Sequence, residues 1–407
     1  MLTPDTLMEA TELKQNTCNV SHFSHTCGTV GCVPYCIYSN DPSSASTIQL
    51  NNLLDFHDHS QQIPVIRTQK MASTTKPTKT ALVTGATGLL GRQVVKAFQG
   101  LSVPTELSSN AGWTWEVKGT GFSRADGVNV LKVDLEKAEE VERILEDVNP
   151  QVLVHCAANR FPDKVDADPE GTRLLNVEAT RTLAKACASR GILLIYISTD
   201  YVFSGKPGEA PYEADAATGP TNLYGVTKLD GEKAVMEEFS KAGKEGLGVV
   251  MRVPVLYGKT EEGRNEESAV NVLLDAVFKA QEGKKVKMDH WALRFPTNTE
   301  DVGRVARDVA VKYLSTSGAE RSSLPRILQM SSEEQYTKYE MCQLFAEILG
   351  VPLDNMEANT EGNDPNASVQ RPYDCHLSTK ALKDLGIDVS TQDFAGWWRR
   401  ELRAFRH

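Results

Sequence analysis

The stretch Thr80-Ala81-Leu82-Val83-Thr84-Gly85-Ala86-Thr87-Gly88-Leu89-Leu90-Gly91 constrains this chain more than any other, because a short apolar run enters three glycines spaced three apart. Ala81 to Val83 read as a buried strand, and Gly85, without a Cβ, takes the backbone angles of the tight turn that leaves it. Gly88 lets the backbone approach a pyrophosphate, and Gly91 lets the next helix pack closely on the sheet. A helix starting near Thr87 aims free N–H groups and its positive dipole end at the phosphates. The glycine spacing alone is weak in a chain with 29 glycines among 407 residues. Its context carries the weight, since the helical segment Arg92-Gln93-Val94-Val95-Lys96-Ala97-Phe98 follows directly.

From Lys79 onward, short apolar runs alternate with amphipathic helical patterns, the signature of a parallel sheet with crossover helices. The strand candidates are Ala81–Val83, Glu116–Gly119, Asn129–Val133, Val152–His155, Leu193–Ile197 and Val249–Val253. Ala138–Glu146 and the long periodic segment Gly171–Ser189 are helices between them. The fold class is α/β, a doubly wound Rossmann sheet with ligands at the C-terminal ends of its strands. Beyond Arg252 the segments Ser268–Gln281, Val302–Leu314, Lys338–Leu349 and Thr379–Leu385 build a smaller α/β lobe over the cleft. The resulting division is 77–260 mainly for the nucleotide-binding domain and 261–407 mainly for the smaller lobe and tail.

Residues 1–76 differ from the rest, being rich in Ser, Thr, Asn and His with Arg67 as the only arginine, and disorder is the expected state. Asp5, Glu9 and Glu12 stand where a transit peptide needs an Arg-rich amphipathic helix. His22, His25, Cys18, Cys27, Cys32 and Cys36 lack CxxC and HxxxH spacing, so no metal site is assigned. Met71-Ala72-Ser73 resembles a natural start, which makes residues 1–70 a dispensable extension or the product of an upstream start.

A formal net charge of -10 argues against nucleic acid as the main partner, and no run of 18 apolar residues exists to span a membrane. Cys156, Cys187, Cys342 and Cys375 fall in apolar segments as free thiols, which points to the cytoplasm and allows a nuclear pool.

The turn after the second strand, Gly121-Phe122-Ser123-Arg124, meets the adenine ribose in a dinucleotide fold. Ser123 and Arg124 stand where an acid would bind a 2′-hydroxyl, so NADP is favoured over NAD. Asp134 and Leu135 end the third strand and can bracket the adenine; His155-Cys156-Ala157-Ala158-Asn159-Arg160 ends the fourth with small residues. Ile197-Ser198-Thr199-Asp200 ends the fifth, and Tyr224-Gly225-Val226-Thr227-Lys228 follows on a helix that sets Lys228 beside the Tyr224 hydroxyl. A nearby ammonium would stabilise a phenolate whose unperturbed pKa is about 10. Ser198 or Thr199 can then hydrogen-bond a substrate carbonyl, Tyr224 protonate it and a nicotinamide deliver hydride.

Thr84–Gly91, Ser198–Phe203 and Tyr224–Lys228 make the chain resemble an extended short-chain dehydrogenase/reductase of the dTDP-4-dehydrorhamnose reductase-like group. Within that group it is most similar to the regulatory beta-subunit family of methionine adenosyltransferase, through Asn222–Gly225, Thr227–Val235, Met288–Trp291, Arg294–Thr297, Thr337–Met341 and Gln370–Pro372. The resemblance implies an NADP-binding, largely non-catalytic protein that joins catalytic methionine adenosyltransferase subunits and tunes S-adenosylmethionine synthesis; the alternative is an active NADPH-dependent reductase of a nucleotide-linked keto-sugar. It assigns NADP contacts to Thr87, Gly88, Leu89 and Leu90 at the pyrophosphate, to Phe122, Ser123 and Arg124 at the 2′-phosphate, and to Asp134, Leu135, Cys156, Arg160, Tyr224 and Leu256. With Gly85, Gly91 and Lys228 these complete the expected cofactor site, and Thr199, Tyr224 and Lys228 are residual or vestigial catalytic residues. The chain departs from the group at Ser204, where an aspartate is usual, and at Gly263–Glu267, which is more polar. The resemblance also implies docking of the extreme C-terminus, Phe405, Arg406 and His407, into the catalytic subunit. Trp397 and Trp398 read either as interface anchors or as the apolar face of a helix packed on its own lobe.

Overall fold

Seven strands form one parallel sheet in the computed structural model, which describes residues 76–261 and 263–404 within the compact unit Ala72–His407. The N-terminal extension with its cysteines and histidines, and Phe405 to His407, lie outside the described residues. In chain order the strands are β1 (Thr78–Thr84), β2 (Thr114–Gly121), β3 (Val130–Lys132), β4 (Val152–His155), β5 (Leu193–Thr199), β6 (Gly248–Val253), β7 (Leu256–Tyr257), β8 (Val286–Asp289), β9 (Thr297–Asn298), β10 (Ile327–Gln329) and β11 (Met356–Asn359). The main sheet has the order β10-β6-β5-β4-β1-β2-β3, so the chain reverses direction across the sheet between β1 and β4. That switch point opens a crevice at the strand ends, where Thr84 lies level with both His155 and Thr120.

The helices that matter here are α1 (Leu89–Phe98), α2 (Ala138–Val148), α3 (Thr180–Arg190), α4 (Leu223–Lys241), α5 (Leu273–Gln281), α6 (Thr299–Ser315), α7 (Lys338–Leu349), α8 (Lys380–Asp384) and α9 (Phe394–Glu401). Because side chains alternate along a strand, Ala81 and Val83 enter the core under α1 and α6, while Leu82 enters the one under α2, α3 and α4. Burial on both faces explains why β4, β5 and β6 read as largely apolar runs, whereas β2 and β3 toward the sheet edge are half-exposed and mixed.

Two segments expected in the smaller lobe belong to the main sheet. Helix α6, which contains Val302–Leu314, lies on α1 so closely that a Cβ on Gly303 would stand 2.8 Å from the Gln93 carbonyl oxygen. Strand β10 then pairs with β6, and Leu382 and Leu385 around α8 join the same core. The smaller lobe is built by α5, α7, α9 and the β8–β11 pair. Trp397 and Trp398 of α9 are buried there against Tyr257 and Phe345, so the intramolecular packing reading holds for both tryptophans. The segment Gly171–Ser189 is not one regular helix: residues Leu174–Ala179 form a π-helical turn between two α-helical pieces.

Candidate functional site

The glycine turn has the expected strained geometry at one position and the expected crowding at another. Gly85 has φ +64°, and a Cβ there would meet the backbone of Ala157 at 2.8 Å. A Cβ on Gly91 would stand 2.1 Å from the Gly85 carbonyl oxygen, so Gly91 serves the turn itself rather than the helix–sheet contact anticipated for it. The helix starts at Leu89 rather than near Thr87, and no side chain caps its Gly88 N-cap. Leu89 and Gly91 are buried, so this turn can present backbone N–H groups and the half-buried Thr87 side chain. Gly119 and Gly121, which the glycine reading overlooked, make room for the turn on the β2 side: a Cβ on Gly119 would lie 2.5 Å from Ala86 Cβ.

At the far end of the crevice Phe122 is 63% exposed, and Ser123 and Arg124 lie in the same open turn. Arg124 has a partner in the protein, because its Nη1 donates to Glu267 Oε1 at 2.7 Å and approaches Glu261 Oε2 at 3.3 Å. Arg92 of α1 donates to the other Glu267 oxygen at 2.6 Å and to the Thr87 carbonyl at 2.7 Å. Asp134 receives a tie from α2, its backbone N–H donating to Glu140 at 2.8 Å, and Leu135 is buried beside it. Cys156 is half-buried at the mouth of β4, and burial pushes its thiol up to about 12 against the opposing pull of the Lys228 charge. Arg160 lies with its guanidinium 4.6 Å over the Phe161 ring. Leu256 lies half-buried in β7, which pairs with β9.

The loop after β4 is braced from the π-helical turn. Asn176 donates to the Asn159 carbonyl at 2.9 Å and accepts from the Asn159 N–H at 2.8 Å, a role no local sequence pattern announced. His155 beneath it is buried between the Thr84 and Thr180 hydroxyls, at 2.7 and 3.1 Å, and burial followed by the Lys228 charge lowers its pKa to about 3.

Helix α4 starts on Asn222, whose side chain accepts from the Gly225 N–H at 3.0 Å. Gly225 lets it reach the end of β5, since a Cβ there would lie 2.2 Å from the Tyr201 carbonyl oxygen. Tyr224 is half-buried near Thr199, and burial raises its pKa despite the Thr199 hydrogen bond. The anticipated stabilisation of a Tyr224 phenolate by Lys228 is therefore not the arrangement found. Lys228 instead donates to the Ile197 carbonyl at 2.7 Å and lies 4.0 Å over the Tyr196 ring, with burial bringing its pKa down to about 7. Ser198, an expected substrate hydrogen-bond donor, is committed to Glu232 at 2.5 Å. Glu232 in turn holds Arg252 by two bonds of 3.0 and 2.8 Å. Thr199 donates to Asp200 at 2.9 Å, and burial raises that carboxyl to about 6.

A parallel sheet with a glycine turn at its switch point, facing a Tyr-x-x-x-Lys helix, defines a Rossmann protein of short-chain dehydrogenase/reductase architecture. The RmlD substrate binding domain family matches residues 79–405. The chain belongs to this family and, within it, to the methionine adenosyltransferase 2 beta subunits. It is 42% identical over 316 residues to methionine adenosyltransferase 2 subunit beta of Rattus norvegicus, covering 77% of this chain and 85% of that one. With the Danio rerio protein of the same name it shares 39% over 332 residues, 81% and 92% of the two chains. Its fold is similar to that of dTDP-4-dehydrorhamnose reductase from Bacillus anthracis, solved in complex with NADP, with a TM-score of 0.61 and 19% identity over 80% of this chain and 99% of that one.

Proposed function

We propose that this chain is a non-catalytic, NADP-binding regulatory subunit that joins the catalytic subunits of a methionine adenosyltransferase and modulates S-adenosylmethionine synthesis in the cytoplasm. The observation that carries this reading is the 42% identity to a beta subunit of that enzyme over 316 residues, a match too long to be confined to residues 77–260.

The residues of the crevice fit a nicotinamide dinucleotide, because Gly85 and Gly91 stand where any Cβ would close the turn. Thr87, Leu89 and Leu90 would hold its pyrophosphate through backbone N–H groups, with Gly88, whose own N–H donates to the Gly85 carbonyl at 2.9 Å, leaving room for the approach, and Phe122, Ser123 and Arg124 would hold its 2′-phosphate. Asp134 and Leu135 would flank the adenine, with Cys156, Arg160, Tyr224 and Leu256 along the remainder; Lys228, expected among them, is buried on the Ile197 carbonyl instead. Such a cofactor supplies hydride in enzymes of this fold. Here two of the groups that would assist the accompanying proton transfer are engaged within the protein, Thr199 with the Asp200 carboxyl and Lys228 with the Ile197 carbonyl. That arrangement favours a structural role for the nucleotide. The second reading, an NADPH-dependent reductase of a nucleotide-linked keto-sugar, draws on the retained Thr199, Tyr224 and Lys228.

Affinity capture from source-cell extract with mass spectrometry tests the assignment. Recovery of a catalytic methionine adenosyltransferase subunit is expected; recovery of none, together with NADPH oxidation by a dTDP-linked keto-sugar, would reverse the two readings. The partner contact is assigned to Phe405, Arg406 and His407, and deleting these residues should weaken capture. Undiminished affinity would remove the tail from the interface.

A further inference from the structure

The charge arrangement around Glu267 conflicts with the simplest use of Arg124. Glu267 is the last residue of a short turn, Asn265–Glu267, in the segment where the chain departs from the reductase-like group. Its side chain is 7% exposed, and both carboxylate oxygens are engaged, one by Arg124 at 2.7 Å and the other by Arg92 at 2.6 Å. Arg92 comes from the first turn of α1 and also holds the Thr87 carbonyl, so the carboxylate lies at the phosphate-facing end of the crevice. Burial tends to raise the Glu267 pKa, but the hydrogen bonds from Arg92 and Arg124 outweigh it and keep the group ionised.

The carboxylate is presented by a braced piece of backbone. Ser268 Oγ donates to the Leu256 carbonyl at 2.8 Å, Asn271 Nδ2 to the Gly258 carbonyl at 2.9 Å, and Asn265 Nδ2 to Asp275 at 2.8 Å. Glu261 adds a second negative charge, 3.3 Å from Arg124 and 3.6 Å from Arg92, and Arg264 a third guanidinium, 2.9 Å from Glu261 and 3.7 Å from Glu267. A phosphate monoester brought to Arg124 meets a guanidinium already engaged and two carboxylates of its own sign beside it, whose other partners are Arg92 and Arg264. A ribose 2′-hydroxyl brings no charge and makes no demand on the Arg124 fork.

We propose that Glu267 is a built-in competitor for the 2′-phosphate of the cofactor, a specificity-determining residue that holds the preference for NADP over NAD below what Arg124 alone would give. The proposal rests on the assignment of Arg124 to the 2′-phosphate above. Binding of NADP takes Arg124 away from Glu267, which keeps Arg92 at 2.6 Å and Arg264 at 3.7 Å as counter-ions. NAD leaves the Arg124–Glu267 pair as it is. The carboxylate thus weakens the phosphorylated cofactor selectively, and it does so from the smaller lobe's side of the chain, 143 residues after the arginine it holds.

Titration calorimetry of the full chain with NADP, NAD and adenosine 2′,5′-bisphosphate, using the wild type and Glu267→Gln, tests this. The variant keeps the side chain's shape and removes its charge, and NADP and the bisphosphate should bind about ten-fold tighter while NAD changes by less than about two-fold. Glu261→Gln, more exposed, should move NADP the same way by a smaller factor, which keeps the test available if Glu267→Gln folds poorly. Adding Arg124→Ala to Glu267→Gln should abolish the gain. Wild-type binding of NADP with unchanged or weakened binding by Glu267→Gln would overturn the proposal, making Glu267 a positioning residue for the two arginines and leaving the cofactor reading intact. Equal tightening of NADP and NAD would overturn it as well. Failure of every protein to bind NADP would remove the cofactor reading and this proposal together.

Discussion

Two carboxylates in this molecule are each held by arginine, and their surroundings give the same chemistry opposite consequences. Glu232 and Arg252 have side chains 4% and 3% exposed, closed in by Ser198 and by the Phe203 ring under the guanidinium. Glu267 is nearly as buried, but its partners Arg92 and Arg124 are 20% and 35% exposed. Opening the first pair strands a charge in the core, whereas opening the second hands an arginine to water or to an incoming anion. Burial of both partners makes a fixture; exposure of one makes an exchangeable contact.

The contrast breaks most visibly at Glu232. Glu232→Ala leaves Arg252 uncompensated and should lower the unfolding free energy by about 3–5 kcal/mol, read from urea denaturation. Replacing both partners by methionine should recover most of that loss, because the cost lies in the unpaired charge rather than in the absence of the pair. A moderate effect is expected from His155, on the buried side. Its folded pKa of about 3 lies below the ordinary 6.5, so the unfolded chain binds the extra proton between those values. The stability it contributes is complete above pH 6.5 and is lost as pH falls toward 3. His155→Asn should flatten the fall in melting temperature between pH 6.5 and pH 4.5 relative to the wild type. The smallest change belongs to the rim. Arg124→Ala leaves Glu267 with Arg92 and Arg264 and should cost less than about 1 kcal/mol of stability, while reducing NADP affinity relative to NAD in calorimetry. A stability loss as large as that of Glu232→Ala would erase the distinction between the two pairs.

The features legible in the chain were those written in consecutive residues. Val152–His155 emerged with its observed bounds because a strand covered on both faces has no polar interruptions. Lys338–Leu349 did so because Thr337 and Glu340 form a capping box and Gly350 ends the helix in a left-handed turn. The glycine turn was legible since Gly85 takes φ +64°, which favours glycine, and a Cβ on Gly91 would fall 2.1 Å from the Gly85 carbonyl oxygen. What escaped depends on residues distant in sequence. Nothing near Arg124 signals Glu267, and nothing near Asn159 signals Asn176. Spacing put Tyr224 and Lys228 on one helix face but carried no information about the Ile197 carbonyl that takes the ammonium. The destination of α6 was hidden for the same reason: an amphipathic helix declares which face is apolar, not which sheet will cover it.

That destination has a consequence for how the protein is made. The core under β1 is closed by Val302, Val305, Val309 and Tyr313, and the sheet is completed by β10, all encoded after the smaller lobe has begun. At a synthesis rate of about 5–20 residues per second, the nascent nucleotide crevice waits seconds for the helix that covers its reverse side. A chain cut after residue 260 would carry every glycine of the turn and still expose the apolar face of its own sheet, so the nucleotide-binding half is not a separable folding unit.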